Sequence, residues 1–314
     1  PQITPFCHQM GRHPTIWDFK TRIRHRIPAR ISPWGSWGLN PNFLFTHFGS
    51  PIIQICRFLK GFRIIGNLYG VGSYDLSVFL ITTDDGHILI NTGLRDSTQM
   101  IRNNIESLGF SLEDVKILLT QQAHWDHTAA LAEIKQITGA EIWATVRDAR
   151  VLEDGGFSDP HFGGRESFQP VDVDKIIRDG EVIRLGELEL TVHHHPGHTE
   201  GSSSYSMAVI GEDEEEYNVL VANMGTINNG KNLTIDPTYS GVADDFIETY
   251  EKQKQLEVDV WVAAHNSQYN MHEKYRSGQP YNPETFVDPA GFLRAIEDLE
   301  RRYEDYIEAE QTQN

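Results

Sequence analysis

Cysteine is nearly absent from this 314-residue chain: there are two, Cys7 and Cys56. Residues 61–314 therefore hold no disulfide, and nothing in the sequence favours a Cys7–Cys56 bridge over two free thiols. No stretch approaches the roughly 18 to 20 consecutive apolar residues that span a bilayer. Positive charge is scarce as well. With 27 Lys and Arg against 45 Asp and Glu, the net charge is −18, which excludes general nucleic-acid binding through a basic face. Gly 26, Pro 14 and 39% hydrophobic residues exclude a collagen-like, coiled-coil or wholly disordered chain. No sharp internal repeat of 20 to 50 residues and no linker divides it.

What is present is unevenly spread. Residues 1–60 carry eight Lys or Arg, one acid (Asp18), seven prolines and three of the six Trp. They have a charge of +7, against −25 for residues 61–314. Neither a helical nor an alternating apolar period survives between these prolines. Residues 1–60 are read as an atypical basic N-terminal extension. It is either poorly ordered or foreign to the mature protein, or else an interaction arm in which Arg22, Arg24, Arg26 and Arg30 interleave with aromatics. No secretory signal pattern is visible in it.

From residue 61 the pattern is regular and fits one catalytic domain, 61–314. Strands are expected at Phe62–Tyr69, Ser77–Thr83, Ile88–Asn91, Val115–Thr120 and Glu141–Ala144, with helices over Asp96–Leu108, Asp126–Thr138 and Val146–Glu153. A glycine-rich loop, 154–170, follows. The second half gives strands at Lys175–Arg178, Glu181–Leu185, Leu188–His193, Ser203–Ile210, Tyr217–Ala222 and Val258–Ala263, and helices at Asp244–Leu256 and Pro289–Tyr306. Strands and helices alternate in two successive halves, which favours sheets sandwiched between helices.

Polar chemistry gathers in four loops, each following a strand. Gln122-Ala123-His124-Trp125-Asp126-His127 puts imidazoles and a carboxylate within reach of one metal, although Asp126 is equally placed to cap the next helix. Pro196-Gly197-His198-Thr199-Glu200-Gly201 presents a ring on a sharp turn. The preceding His193, His194 and His195 alternate in direction and are not one chelating unit; they are read as supporting or core residues. Ala263-Ala264-His265 ends an apolar strand with a polar ring that needs a partner. Asn91 and Thr92 either bond ligand histidines or cap the helix near Asp96.

The order is what distinguishes the set: 71 residues separate His127 from His198 and 67 separate His198 from His265. It resembles the metallo-β-lactamase superfamily, whose pattern is H-x-H-x-D-H, then G-H-[ST]-x-G, then a late His. The first His is Gln122 here. With Ile88–Gly93, His194–Ser203, Ala222-Asn223-Met224, His265-Asn266-Ser267-Gln268 and His272-Glu273-Lys274 through Pro280-Tyr281-Asn282-Pro283, this is similar to the GOB-type enzymes of the third subclass. The resemblance covers about residues 61–310 and is silent on the first 60.

The resemblance implies an α/β fold of αββα four-layer type with zinc at the edge between two sheets. It implies hydrolysis of the β-lactam amide by a zinc-activated water, hence antibiotic resistance, with a small-molecule β-lactam as the partner. Asp126, His127 and His265 form the expected strong metal site; Gln122, His124 and His198 form a weaker one, because an amide oxygen is a poorer zinc donor than imidazole. One tightly bound Zn²⁺ is expected, with a second possible. Asp126 would orient water, and His124 and His198, if metal-free, would hold substrate or move protons. Thr226, Ser202 and Ser203 are candidates for the substrate carboxylate, and Asn91, Thr92 and His195 for supporting contacts. Similar enzymes are periplasmic or secreted.

The alternatives are a lactonase or glyoxalase-II-like thioesterase, and a non-catalytic metal-binding or interaction protein. The thioesterases usually carry a further metal-bridging Asp where this chain has Asn223-Met224.

Overall fold

The computed structural model describes residues 58–312. The expectations for residues 1–57, including the cysteine pair and the basic arm, lie outside the described residues.

The chain opens with β1 (Phe62–Ile65), β2 (Leu68–Gly70), β3 (Phe79–Thr83) and β4 (Gly86–Ile90), then α1 (Thr98–Ser107) and β5 (Val115–Leu119). There follow α2 (Trp125–Thr128), α3 (Leu131–Thr138), β6 (Glu141–Ala144), α4 (Val146–Asp154) and β7 (Lys175–Ile176). These strands form one seven-stranded sheet in sequence order. The second half supplies β8 (Val182–Leu185), β9 (Leu188–His194), β10 (Ser203–Ile210), β11 (Glu216–Ala222), α5 (Val242–Lys254), β12 (Val260–Ala263), α6 (Met271–Lys274) and α7 (Pro289–Thr312). Its sheet has five strands in the order β12-β11-β10-β9-β8.

Strand periodicity sets the layers. Phe79, Ile81, Ile88, Ile90, Ile117 and Leu119 point from the first sheet toward Val192, Tyr205, Met207 and Val221 of the second. Between them, Leu80, Leu89 and Leu118 point the other way, onto Ile101 and Ile105 of α1 and Leu131 and Ile134 of α3. Trp261 of β12 packs on Phe292 of α7, with ring centroids 5.6 Å apart. The result is the four-layer αββα sandwich. No helix among the described residues is long and apolar enough to cross a membrane.

Three local expectations are corrected. Phe62–Tyr69 is not one strand but a hairpin, turning at Gly66-Asn67. Gly66 sits in the left-handed region at φ +48°, and a Cβ there would overlap the Val209 side chain, so both conformation and space require glycine. The helix over Asp126–Thr138 is broken into α2 and α3, where the Ala129 N–H is shared between Trp125 O and Gly93 O. Asp126 does not cap the following helix; it lies inside α2, whose N-cap is His124.

The parallel pairs β4–β5 and β11–β12 bring the C-terminal ends of their strands side by side in each sheet. The two ends meet at Gln121. Asn91 Nδ2 donates to Gln121 Oε1 at 2.8 Å, while Gln121 Nε2 donates to Ala222 O. The Gln121 carbonyl accepts from the Ser203 N–H at 2.8 Å and from Asn223 Nδ2 at 2.7 Å. A buried polar knot thus joins the rims of both sheets.

Candidate metal centre

Asp126, His127 and His265 converge, their potential ligand atoms all lying within 4.8 Å of one another. Asp126 Oδ2 is 3.6 Å from His127 Nε2 and 3.8 Å from His265 Nε2. Ligands at zinc distances stand about 3.3 Å apart in a tetrahedron, so a small contraction onto one ion suffices. The His127 side chain is fully buried, yet neither ring nitrogen has a hydrogen-bond partner, a costly arrangement unless a metal takes one of them. Asp126 and His265 are each about a quarter exposed, which leaves one side open.

Electrostatics suit the same use. Burial holds the His127 imidazolium down to about 4, so the ring is neutral and its lone pair free. Burial works against the Asp126 charge, but the imidazoles of His127, His265 and His124 hold its carboxyl below the usual range. His265 is raised despite burial, because Asp75 Oδ2 lies 3.1 Å from its Nδ1 and Asp126 adds negative charge. Asp75 is in turn held at about 2, against its own burial, by His265 and by Ser267.

The second group is assembled beside the first. His124 Nδ1 and His198 Nε2 face each other at 3.1 Å. The Gln122 Oε1 atom is buried and unpartnered. Thr226 accepts from His198 Nδ1 through its carbonyl at 2.7 Å, which leaves Nε2 unprotonated for a ligand. The donor set of the Asp126, His127 and His265 group fits a metal ion.

The other candidates fall elsewhere. Ser202 and Ser203 are both buried, with Ser202 Oγ bonded to Thr199 and Ser203 Oγ donating to Gly201 O. Thr226 Oγ1 lies 2.9 Å from His198 Nδ1, so its hydroxyl already serves the ring. Thr92 Oγ1 donates to the His127 carbonyl, whereas Asn91 holds Gln121 rather than a ligand ring; neither caps α1, whose N-cap is Ser97. His195 bonds Ser204 and Gln253 and stacks on His193, within the core.

Comparison with known proteins agrees with this geometry. The metallo-beta-lactamase superfamily pattern matches residues 74–209. The chain is similar to the class B3 di-zinc metallo-beta-lactamase LRA-12 from an Alaskan soil metagenome: 46% identity, TM-score 0.77, covering 79% of this chain and 94% of that one. It belongs to the metallo-β-lactamase superfamily. The GOB-18 enzyme of Elizabethkingia meningoseptica is 41% identical, with TM-score 0.79, covering 84% of this chain and 97% of the other. Among curated proteins, a hydroxyacylglutathione hydrolase of a Bradyrhizobium species is 32% identical over 139 residues. The matched region spans only 46% of that relative's length.

Several neighbours of this metallo-β-lactamase-fold site carried no sequence signal. Asp75 is 190 positions from His265, and only the fold joins them. Lys231 is 1% exposed and lines a cavity of about 60 Å³ together with His124, His198, Asp159 and Tyr239. Its ammonium stands 5.4 Å from the Tyr239 ring centroid, and burial pulls it down to about 8.

Asp148, wholly buried and bonded by Thr199 Oγ1 at 3.0 Å, is pushed up to about 7 by burial. The folded chain keeps that proton where an unfolded Asp, near 3.8, has lost it. Stability therefore falls as pH rises between these two values, by at most about 4 kcal/mol. Asp148→Asn should flatten this slope in urea unfolding compared at about pH 5 and about pH 8. An unchanged slope refutes the assignment.

Proposed function

We propose that this chain is a zinc-dependent β-lactamase, opening the cyclic amide of β-lactam antibiotics and conferring resistance to them. The observation that carries the reading is the rim of β11. Where thioesterases of this fold usually hold a metal-bridging carboxylate, this chain has Asn223 and Met224, both buried. Asn223 is committed to Gln121 and Ser204. The two donor groups are thus separate, one anionic and one neutral.

When bound, zinc supplies Lewis acidity and a water acidified to near neutral pH. The residues do the rest. Asp126, His127 and His265 hold the ion, and the exposed edge of Asp126 orients the attacking water. Asp75 fixes the His265 ring; Thr226 fixes the His198 tautomer. Lys231 supplies a buried positive charge on the His124–His198 side.

The thioesterase reading is favoured by one finding, the curated hydroxyacylglutathione hydrolase relatives. The test runs a chromogenic cephalosporin, a carbapenem, a lactone and a thioester in parallel on the zinc-loaded chain. β-Lactams should be preferred in kcat/KM by at least roughly a hundredfold. Chelation should abolish turnover and zinc restore it. A preference for the thioester overturns the proposal.

A further inference from the structure

We propose that Asp159, on the glycine-rich loop after α4, is a positioning residue for His124 and places metal affinity of the Gln122/His124/His198 group under control of that loop. This rests on the metal-holding part of the function proposed above, not on its substrate.

Asp159 is 5% exposed and divides its carboxylate between two tasks. Oδ1 accepts the backbone N–H groups of His161 and Phe162 at 2.7 and 2.8 Å, which locks the carboxylate to its own loop. Oδ2 lies 3.2 Å from His124 Nε2, at an angle that leaves this nitrogen without an aligned hydrogen bond. The Phe162 ring stands edge-on to His124, with centroids 4.9 Å apart. The loop is closed on itself by Gly164 N–H to Gly156 O at 3.1 Å and Phe168 N–H to Gly155 O at 3.0 Å.

Chemistry gives the contact its meaning. An imidazole that offers Nδ1 to a metal carries its proton on Nε2, and a buried proton there requires an acceptor. Asp159 is the carboxylate in reach. Its backing fixes the orientation of the His124 ring, which matters more here than in a three-imidazole group, because Gln122 donates only a neutral amide oxygen. The group also lacks a carboxylate of its own, so Asp159 provides the nearby negative charge. The two groups then share a plan: Asp75 backs His265 in one, Asp159 backs His124 in the other. Asp75 comes from the turn before β3. Asp159 comes from a loop whose closure is set by its own backbone bonds, and a displaced loop withdraws the carboxylate.

The experiment titrates metal-free full chain with Zn²⁺ against a chromophoric chelator and with Co²⁺ by its ligand-field bands. D159N keeps an oxygen able to accept from the His161 and Phe162 N–H groups, so the loop bonds survive. The second equivalent should weaken by about 10- to 100-fold and its Co²⁺ bands should shift, while the first equivalent and metal-free melting stay as in wild type. D159E should restore part of the loss. The pair Q122H and Q122H/D159N repeats the comparison where the second equivalent binds more tightly. A second equivalent insensitive to D159N overturns the inference alone. Equal weakening of both equivalents, with a lower metal-free melting temperature, makes Asp159 merely structural and also overturns it. Absence of a second equivalent in both wild type and Q122H overturns it together with the metal reading of this group.

Discussion

Replacing Asp126 by Asn is expected to lower kcat/KM for a chromogenic cephalosporin by about a thousandfold or more while the fold persists. The substitution preserves shape and removes charge. Asp126 is the only anion among the three residues of its group, and its Oδ2 lies 3.6 Å from His127 Nε2 and 3.8 Å from His265 Nε2. A neutral amide there holds zinc poorly and orients an attacking water poorly, so binding and chemistry fail together. The fold should survive because the carboxylate is partly exposed and its contacts are with those two imidazoles. Turnover, bound zinc per chain and thermal melting, measured on the same sample, check this. Activity retained in the variant would remove the catalytic scheme.

The second large effect concerns Gln122. Wild type should take one zinc tightly, at Asp126, His127 and His265, and a second only weakly. Gln122→His should tighten the second equivalent by at least roughly tenfold, because imidazole is the better donor. The position is suited to the exchange: Gln122 is 2% exposed, and its amide oxygen has no partner to lose. Metal content should be followed against turnover in both proteins. If wild type needs two equivalents for full activity, the mononuclear account fails, and the chain is to be compared directly with the di-zinc LRA-12 enzyme.

Much of this was legible because the relevant signals are local. Histidines that follow apolar strands, at ordered spacing, pointed to the loops that meet at the sheet rims, and strand alternation placed His193 and His195 on one side, where their rings stack. The errors have physical causes. The strand-forming residues of Phe62–Tyr69 hid the Gly66-Asn67 turn, since both arms of the hairpin are mostly buried and rich in β-branched and aromatic side chains. Asp75, Asp159 and Lys231 were invisible for a different reason. Each acquires its role from a partner distant in sequence, and an isolated Asp or Lys in a loop looks like any solvated one until the fold removes the solvent.

Gln121 carries a consequence for how such a site can change. Its main chain and side chain are moored to both sheets, so the path of the backbone into position 122 is fixed before the identity of the next side chain matters. The scaffold therefore tolerates an amide or an imidazole at that doorway without redrawing the loop. Metal appetite becomes a property that a single codon can retune, leaving the surrounding architecture untouched.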